Sequence, residues 1–122
     1  GSGAFIWPAA NRYLSGYNYS SYHRGIDIAT PLGAPIYASD SGVVMFAGWS
    51  NWGYGYMVVL DHGNGWQTLY SHLSQWNVNC GQSVYQGNVV GLAGSTGNST
   101  GPHLHFEMNF QGSRPNPWNY LP

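Results

Sequence analysis

Gly101-Pro102-His103-Leu104-His105-Phe106-Glu107-Met108 is the stretch on which the reading of this chain turns. Read as a strand, it puts His103, His105 and Glu107 on one face and Leu104, Phe106 and Met108 on the other, because side chains along an extended backbone alternate. One face then anchors in an apolar core while the other presents two imidazoles and a carboxylate to a cleft. Two neutral imidazoles converging along His-x-His suit a transition metal. Without a further ligand the same pair is only two histidines on a sheet edge.

Tyr22-His23-Arg24-Gly25-Ile26-Asp27-Ile28-Ala29 offers that further ligand from near the other end of the chain. His23 and Asp27 stand four apart, a spacing that returns to one face in helix and strand alike. Gly25 and the β-branched Ile26 and Ile28 favour extended chain. An imidazole and a carboxylate oxygen from here, with one imidazole of the His-x-His strand, make three protein ligands. A fourth position is left for water, as in a catalytic zinc site and unlike a closed structural one. Spacing alone admits either His103 or His105 as the third ligand.

Three runs in a fixed order resemble the lysostaphin-type (LytM-like) zinc endopeptidases: His23-Arg24-Gly25-Ile26-Asp27, then Thr68-Leu69-Tyr70-Ser71-His72-Leu73, then Gly94 through Glu107. The likeness runs from about Phe5 to the last residues. That family cleaves peptide bonds in bacterial cell-wall peptidoglycan. The resemblance implies one Zn2+ per chain held by His23, Asp27 and His105, with His103 left as a catalytic partner and His72 as the second catalytic histidine. It implies attack by a zinc-bound water, assisted by those two histidines, on cross-link or stem peptide bonds. Tyr17 stands where the family often carries an aromatic hydroxyl near the metal, which could donate to an oxyanion.

Zinc lowers the pKa of a bound water to about 7 and polarises a scissile carbonyl. No His-Glu-x-x-His helix supplies a glutamate base, so the proton work falls to imidazoles, whose ordinary pKa of about 6.5 lies near neutral pH. Glu107 shares the face of the two strand histidines and is placed to hydrogen-bond a ligand imidazole and fix its tautomer. His62, in the glycine turn His62-Gly63-Asn64-Gly65, reads as a structural residue at a loop tip.

With 122 residues the chain is long enough to bury a core without disulfides. Eighteen glycines, ten tyrosines, six tryptophans and only 6 % charged residues point to a loop-rich β protein. It has no lysine and a formal net charge of −1, so it presents no phosphate-neutralising surface; nucleic acid is excluded as a partner, and so is a basic membrane-binding patch. Cys80, alone, forms no intrachain bridge. No apolar run reaches the length of a membrane span, and no basic-then-apolar signal segment is present. Gly1-Ser2-Gly3, without a methionine, reads as a cloning remnant on a catalytic piece, residues 4–122, of a longer exported protein. The expected partner is bacterial peptidoglycan, met as a monomer in the cell envelope or outside the cell.

Short strands are expected at 25–29, 36–38, 42–47, 56–61, 66–71, 89–93 and 103–110, with His62-Gly63-Asn64-Gly65 and Asp40-Ser41-Gly42 turning the chain. Residues 49–55 and 73–84 read as a loop and a connection, and no stretch has ten residues at helical period. The fold class is mainly antiparallel β, a compact domain whose loops wall a groove with zinc at its floor. Ser95, Thr96, Asn98 and Thr100 are candidates for one wall and Trp49, Trp52 and Tyr54 for another. The glycine loop 94–101 lacks a Lys-Ser/Thr ending and is no phosphate cradle. Two other classes fit less well. A silent wall-binding domain would lack these ligands. A zinc D-alanyl-D-alanine carboxypeptidase of another family spaces its first His and Asp more widely and uses a glutamate as acid–base.

Overall fold

In the computed structural model, residues 15–17, 98 and 100 lie outside the described part of the chain. Eight strands follow in order: β1 Ile26–Ala29, β2 Pro35–Tyr37, β3 Gly42–Ser50, β4 Gly55–Asp61, β5 Trp66–Trp76, β6 Ser83–Val84, β7 Val89–Ala93 and β8 His103–Phe110. The only helix among the described residues is a 3-10 turn at Pro117–Asn119, and none is long and apolar enough to cross a membrane. All strand pairings are antiparallel, in the order β1-β8-β5-β4-β3-β6, with β7 joining β2 to β5. The expected antiparallel β architecture is therefore what forms.

Strand β8 alternates as its sequence requires, and both of its faces are covered. Leu104, Phe106 and Met108 are fully buried in the core with Ile26, Ile28, Tyr70 and Leu60. Each such side chain contributes roughly 1.5–3 kcal/mol by leaving water. On the other face His105 and Glu107 are buried too, beneath loops, while His103 is half-buried. Register carries the rest: Asp27 of β1 pairs with His105, and on the other side of β8 Ser71 of β5 pairs with the same residue.

Strand β5 is longer than its sequence suggests, continuing through Trp76 into the stretch read as a connection. It serves two neighbours. Trp66 to Ser71 pairs with β8, and Leu73 to Trp76 pairs with β7. At the changeover, β4 has only Met57 between the pairs Tyr56–Leu73 and Val58–Tyr70, whereas β5 has both Ser71 and His72. This bulge resets the alternation. Tyr70 and Leu73, three apart, both reach the core, and both residues between them are freed for the other side. His72 takes φ 60°, a left-handed conformation uncommon for a residue with a β-carbon.

The remaining departures are local. Strand β3 runs on to Ser50, so the aromatic loop is a turn of four residues, Asn51 to Tyr54. Part of the 73–84 connection is the short strand β6. His62 is not an exposed tip residue: it is 2 % exposed, packed edge-on against Phe5. Its Nδ1–H donates to the Ser41 carbonyl at 2.7 Å, and Thr68 Oγ1 lies 2.8 Å from Nε2. Thr68 meets the Tyr70 hydroxyl at 2.7 Å, and that hydroxyl accepts from Ser39 N–H at 2.9 Å. Burial lowers the His62 pKa, which keeps the ring neutral in this chain of bonds.

Candidate metal and catalytic site

His23, Asp27 and His105 come together, with one potential ligand atom from each lying within 4.8 Å of the others. His105 Nδ1 is 2.8 Å from Asp27 Oδ1, and His23 Nε2 is 3.5 Å from the same oxygen. The opposite nitrogen of each ring is held. His23 Nδ1–H donates to the Asn18 carbonyl at 3.1 Å, and His105 Nε2 meets Glu107 Oε2 at 2.7 Å. His23 Nε2 and His105 Nδ1 are thereby turned toward Asp27. Two imidazole nitrogens and a carboxylate oxygen, with outer hydrogen bonds fixing the rings, fit the donor set of zinc.

The backbone makes this approach possible at Gly25. A β-carbon there would stand 2.6 Å from the Phe106 carbonyl oxygen and 2.9 Å from His105 Cε1. Only glycine lets the chain carrying His23 pass so close to β8. Gly55 does the same for the loop after β7: at φ 68°, its β-carbon would lie 2.5 Å from the Thr96 carbonyl carbon.

His103 and His72 flank the cluster. His103 Nε2 is 3.6 Å from Asp27 Oδ1, and its Nδ1–H donates to the Gly101 carbonyl at 2.9 Å. The His72 ring centre is 4.7 Å from that of His103 and 6.0 Å from that of His105. His72 Nδ1–H donates to the Thr96 carbonyl at 2.7 Å, which leaves Nε2 as its free atom. Burial lowers the His72 pKa despite that bond, so the ring rests neutral.

Charge is balanced tightly at His105. Burial alone would lower its pKa, but the hydrogen bonds and charges of Asp27 and Glu107 outweigh it and raise it to about 9. Burial works against both carboxylates as well, yet their bonds to His105 bring Asp27 and Glu107 below the usual range. Tyr54 completes the arrangement, its hydroxyl donating to Glu107 Oε2 at 2.9 Å. Burial, then the Glu107 charge, pushes the Tyr54 pKa up to about 12, so it stays a donor.

The groove candidates divide. Tyr54 leans toward the cluster, its ring 5.9 Å from that of His105. Its link to Glu107 had no sequence signal beyond an aromatic loop, because the two lie 53 residues apart. Thr96 spends its hydroxyl inside the fold, accepting from Tyr56 N–H and donating to the Leu73 carbonyl. Ser95 contacts Ser99, which also meets His103 Nδ1 at 3.2 Å. Trp49 stacks edge-on against Tyr56, and Trp52 stands almost fully exposed at the turn. Tyr17, Asn98 and Thr100 lie outside the described residues.

A family model, peptidase family M23, matches residues 21–117, which contain every one of these side chains except Tyr17. The DD-carboxypeptidase/endopeptidase Mpg of Neisseria meningitidis serogroup B is 50 % identical over 95 residues, covering 78 % of this chain and 22 % of its own. The catalytic domain of lysostaphin from Staphylococcus simulans has the same fold, with a TM-score of 0.79 at 34 % identity, covering 92 % of this chain and 91 % of that one. A zinc-containing peptidase from Vibrio cholerae superposes with a TM-score of 0.83 at 33 % identity, covering 93 % of this chain and 39 % of that one. The chain spans only about a fifth of the length of the curated relatives it matches.

Proposed function

The chain belongs to peptidase family M23, and from that premise we propose that it is a zinc endopeptidase that hydrolyses peptide bonds in bacterial peptidoglycan, in the cell envelope or outside the cell. The carrying observation is the convergence of His23, Asp27 and His105 within 4.8 Å, with His103 and His72 beside them. In this reading His23 Nε2, Asp27 and His105 Nδ1 hold one zinc ion per chain. Bound there, zinc supplies Lewis-acid chemistry, polarising the scissile carbonyl and making water acidic enough to react near neutral pH.

The chain's own residues do the rest. His72 is anchored through Nδ1 and neutral, so its Nε2 is the atom that takes a proton from the attacking water or returns one to the leaving amine. His103, anchored through Nδ1 to Gly101, presents Nε2 on the Asp27 side and shares that work. Glu107 and Tyr54 hold the His105 ring in the orientation that aims Nδ1 inward. The names of relatives support the substrate: Mpg is a DD-carboxypeptidase/endopeptidase, and ShyA of Vibrio cholerae is a peptidoglycan DD-endopeptidase. Membership of M23 sets aside the carboxypeptidase of a different family.

The test is metal analysis of the purified chain, followed by mass spectrometry of fragments released from purified peptidoglycan. One zinc per chain and internal cuts are expected, with both cutting and zinc lost in His105→Ala. Full activity after exhaustive chelation would end this reading, and release of single terminal residues alone would make the chain a carboxypeptidase.

A further inference from the structure

Three aromatic rings form a row across neighbouring strands: Trp49 near the end of β3, Tyr56 of β4 and Trp76 at the end of β5. Ring centres are 5.2 Å apart from Trp49 to Tyr56 and 5.1 Å apart from Tyr56 to Trp76. The middle ring is half-buried, but Trp49 is 51 % exposed and Trp76 38 %, and Trp52 in the turn after β3 is almost fully exposed. Single apolar residues on a surface are ordinary, whereas contiguous exposed rings mark a contact. The row adjoins the candidate site. Tyr54, two residues before Tyr56, bonds Glu107, and its carbonyl accepts from His72 N–H at 2.8 Å. Leu73, next to His72, pairs with Tyr56.

Composition selects the ligand. Residues 42–60 and 66–80 contain no Asp, Glu, Lys or Arg, so this face offers an ionic ligand no counter-charge. The polar side chains beside the rings are exposed amides: Asn51, whose Oδ1 accepts from Trp49 Nε1–H at 3.0 Å, and Gln75. Aromatic rings cover the C–H faces of a pyranose, and amides pair with its hydroxyl and acetamido groups. We propose that the row of Trp49, Tyr56 and Trp76 is a subsite for the uncharged N-acetylated sugars to which the stem peptide is attached, seated while the peptide bond lies at the histidine cluster. This rests on the peptidase reading above and adds the sugar to what that site recognises.

Two substrates test it, the same cross-linked stem peptides with and without their N-acetylated disaccharide units. The zinc-loaded chain should cut both with similar kcat and show a KM about fivefold lower for the sugar-bearing one, since a contact made equally before and during reaction lowers KM alone. Trp76→Leu should raise that KM to the sugar-free value without changing the sugar-free peptide, and Trp76→Phe should keep most of the preference. A β-1,4-linked tetramer of N-acetylglucosamine should quench tryptophan fluorescence and compete only with the sugar-bearing substrate. Trp76→Leu slowing both substrates alike, with the preference kept, would make the indole merely structural and overturn the assignment. Equal KM values in the parent chain without quenching would overturn it too, while leaving the peptidase reading intact; a concentration-dependent dimer in sedimentation would then give the row to a second copy. Failure to cut either substrate would remove both readings.

Discussion

Replacing Glu107 by glutamine tests whether a buried carboxylate orients the His105 ring. The carboxylate is only 7 % exposed, and its Oε2 stands 2.7 Å from His105 Nε2. Glutamine keeps the size and an acceptor oxygen but removes the charge. A hydrogen bond to a charged partner contributes about 1.5–3 kcal/mol and a neutral one about 0.5–1.5 kcal/mol, so the change costs roughly 1–1.5 kcal/mol at the ring. Carried to the metal, that is about tenfold in zinc affinity, the lower end of what outer-sphere partners typically contribute. Competition against a chromogenic chelator at fixed pH and ionic strength reads it directly. Tyr54→Phe removes one hydroxyl from the same carboxylate at 2.9 Å and leaves the carboxylate on His105. Its effect should be smaller, about two- to fivefold. An affinity unchanged within twofold in folded Glu107→Gln would show that the strand and Asp27 alone aim the ring, and would refute the role given to Glu107.

A proton and a cation compete for Nδ1 of His105, whose pKa stands at about 9, so zinc affinity should climb as pH rises toward 9 and flatten above it; calorimetric titrations across that range would show it. His72→Gly relieves a left-handed backbone that costs a side chain about 1–2 kcal/mol, so it should melt higher than His72→Ala while both lose peptidoglycan cleavage; equal melting temperatures would mean the strain is absent. The folded His62 pKa is lowered, so as pH falls below about 6.5 the unfolded chain binds the proton first and stability drops until the folded pKa is passed. Thermal melts at stepped acid pH should show a shallower decline in His62→Gln. Phe106→Ala empties a fully buried site and should cost about 3–5 kcal/mol by denaturant unfolding.

How much of this was legible in the sequence depends on the range over which each feature is determined. Strand β8 is legible because its alternation is local: Leu104, Phe106 and Met108 need only a core on one side, and they have it. The meeting of His23 and Asp27 with a histidine of β8 is legible as a spacing pattern, but the choice of His105 over His103 comes only from the family resemblance, since 78 residues separate Asp27 from His105 and register alone joins them. His62 is structural as its sequence suggests, but its burial is hidden there because its Gly-Asn-Gly neighbours have turn composition. Ser41 and Thr68, which bury it, come from other parts of the chain.

The bulge at Ser71 and His72 is the feature that no local pattern announces, and the position of His72 depends on it. In an unbroken strand, residues 70 and 72 share a face, and Tyr70 is committed to the core with its hydroxyl bonded to Ser39. An unbulged β5 would therefore bury the His72 imidazole on the core face with Tyr70 and Phe106, away from Asp27, and would turn Leu73 out of the core. The extra residue against Met57 reverses this, and it does so where β5 must change partner from β8 to β7. A single irregularity thus solves two problems, one of sheet topology and one of side-chain aim. The left-handed φ of His72 is the local cost, held in place by its N–H bond to the Tyr54 carbonyl and its ring bond to Thr96. Those two anchors belong to the segments that also carry the Glu107-bound Tyr54 hydroxyl and the loop beside His103, so the strained residue and the candidate metal cluster are fixed by the same pieces of chain.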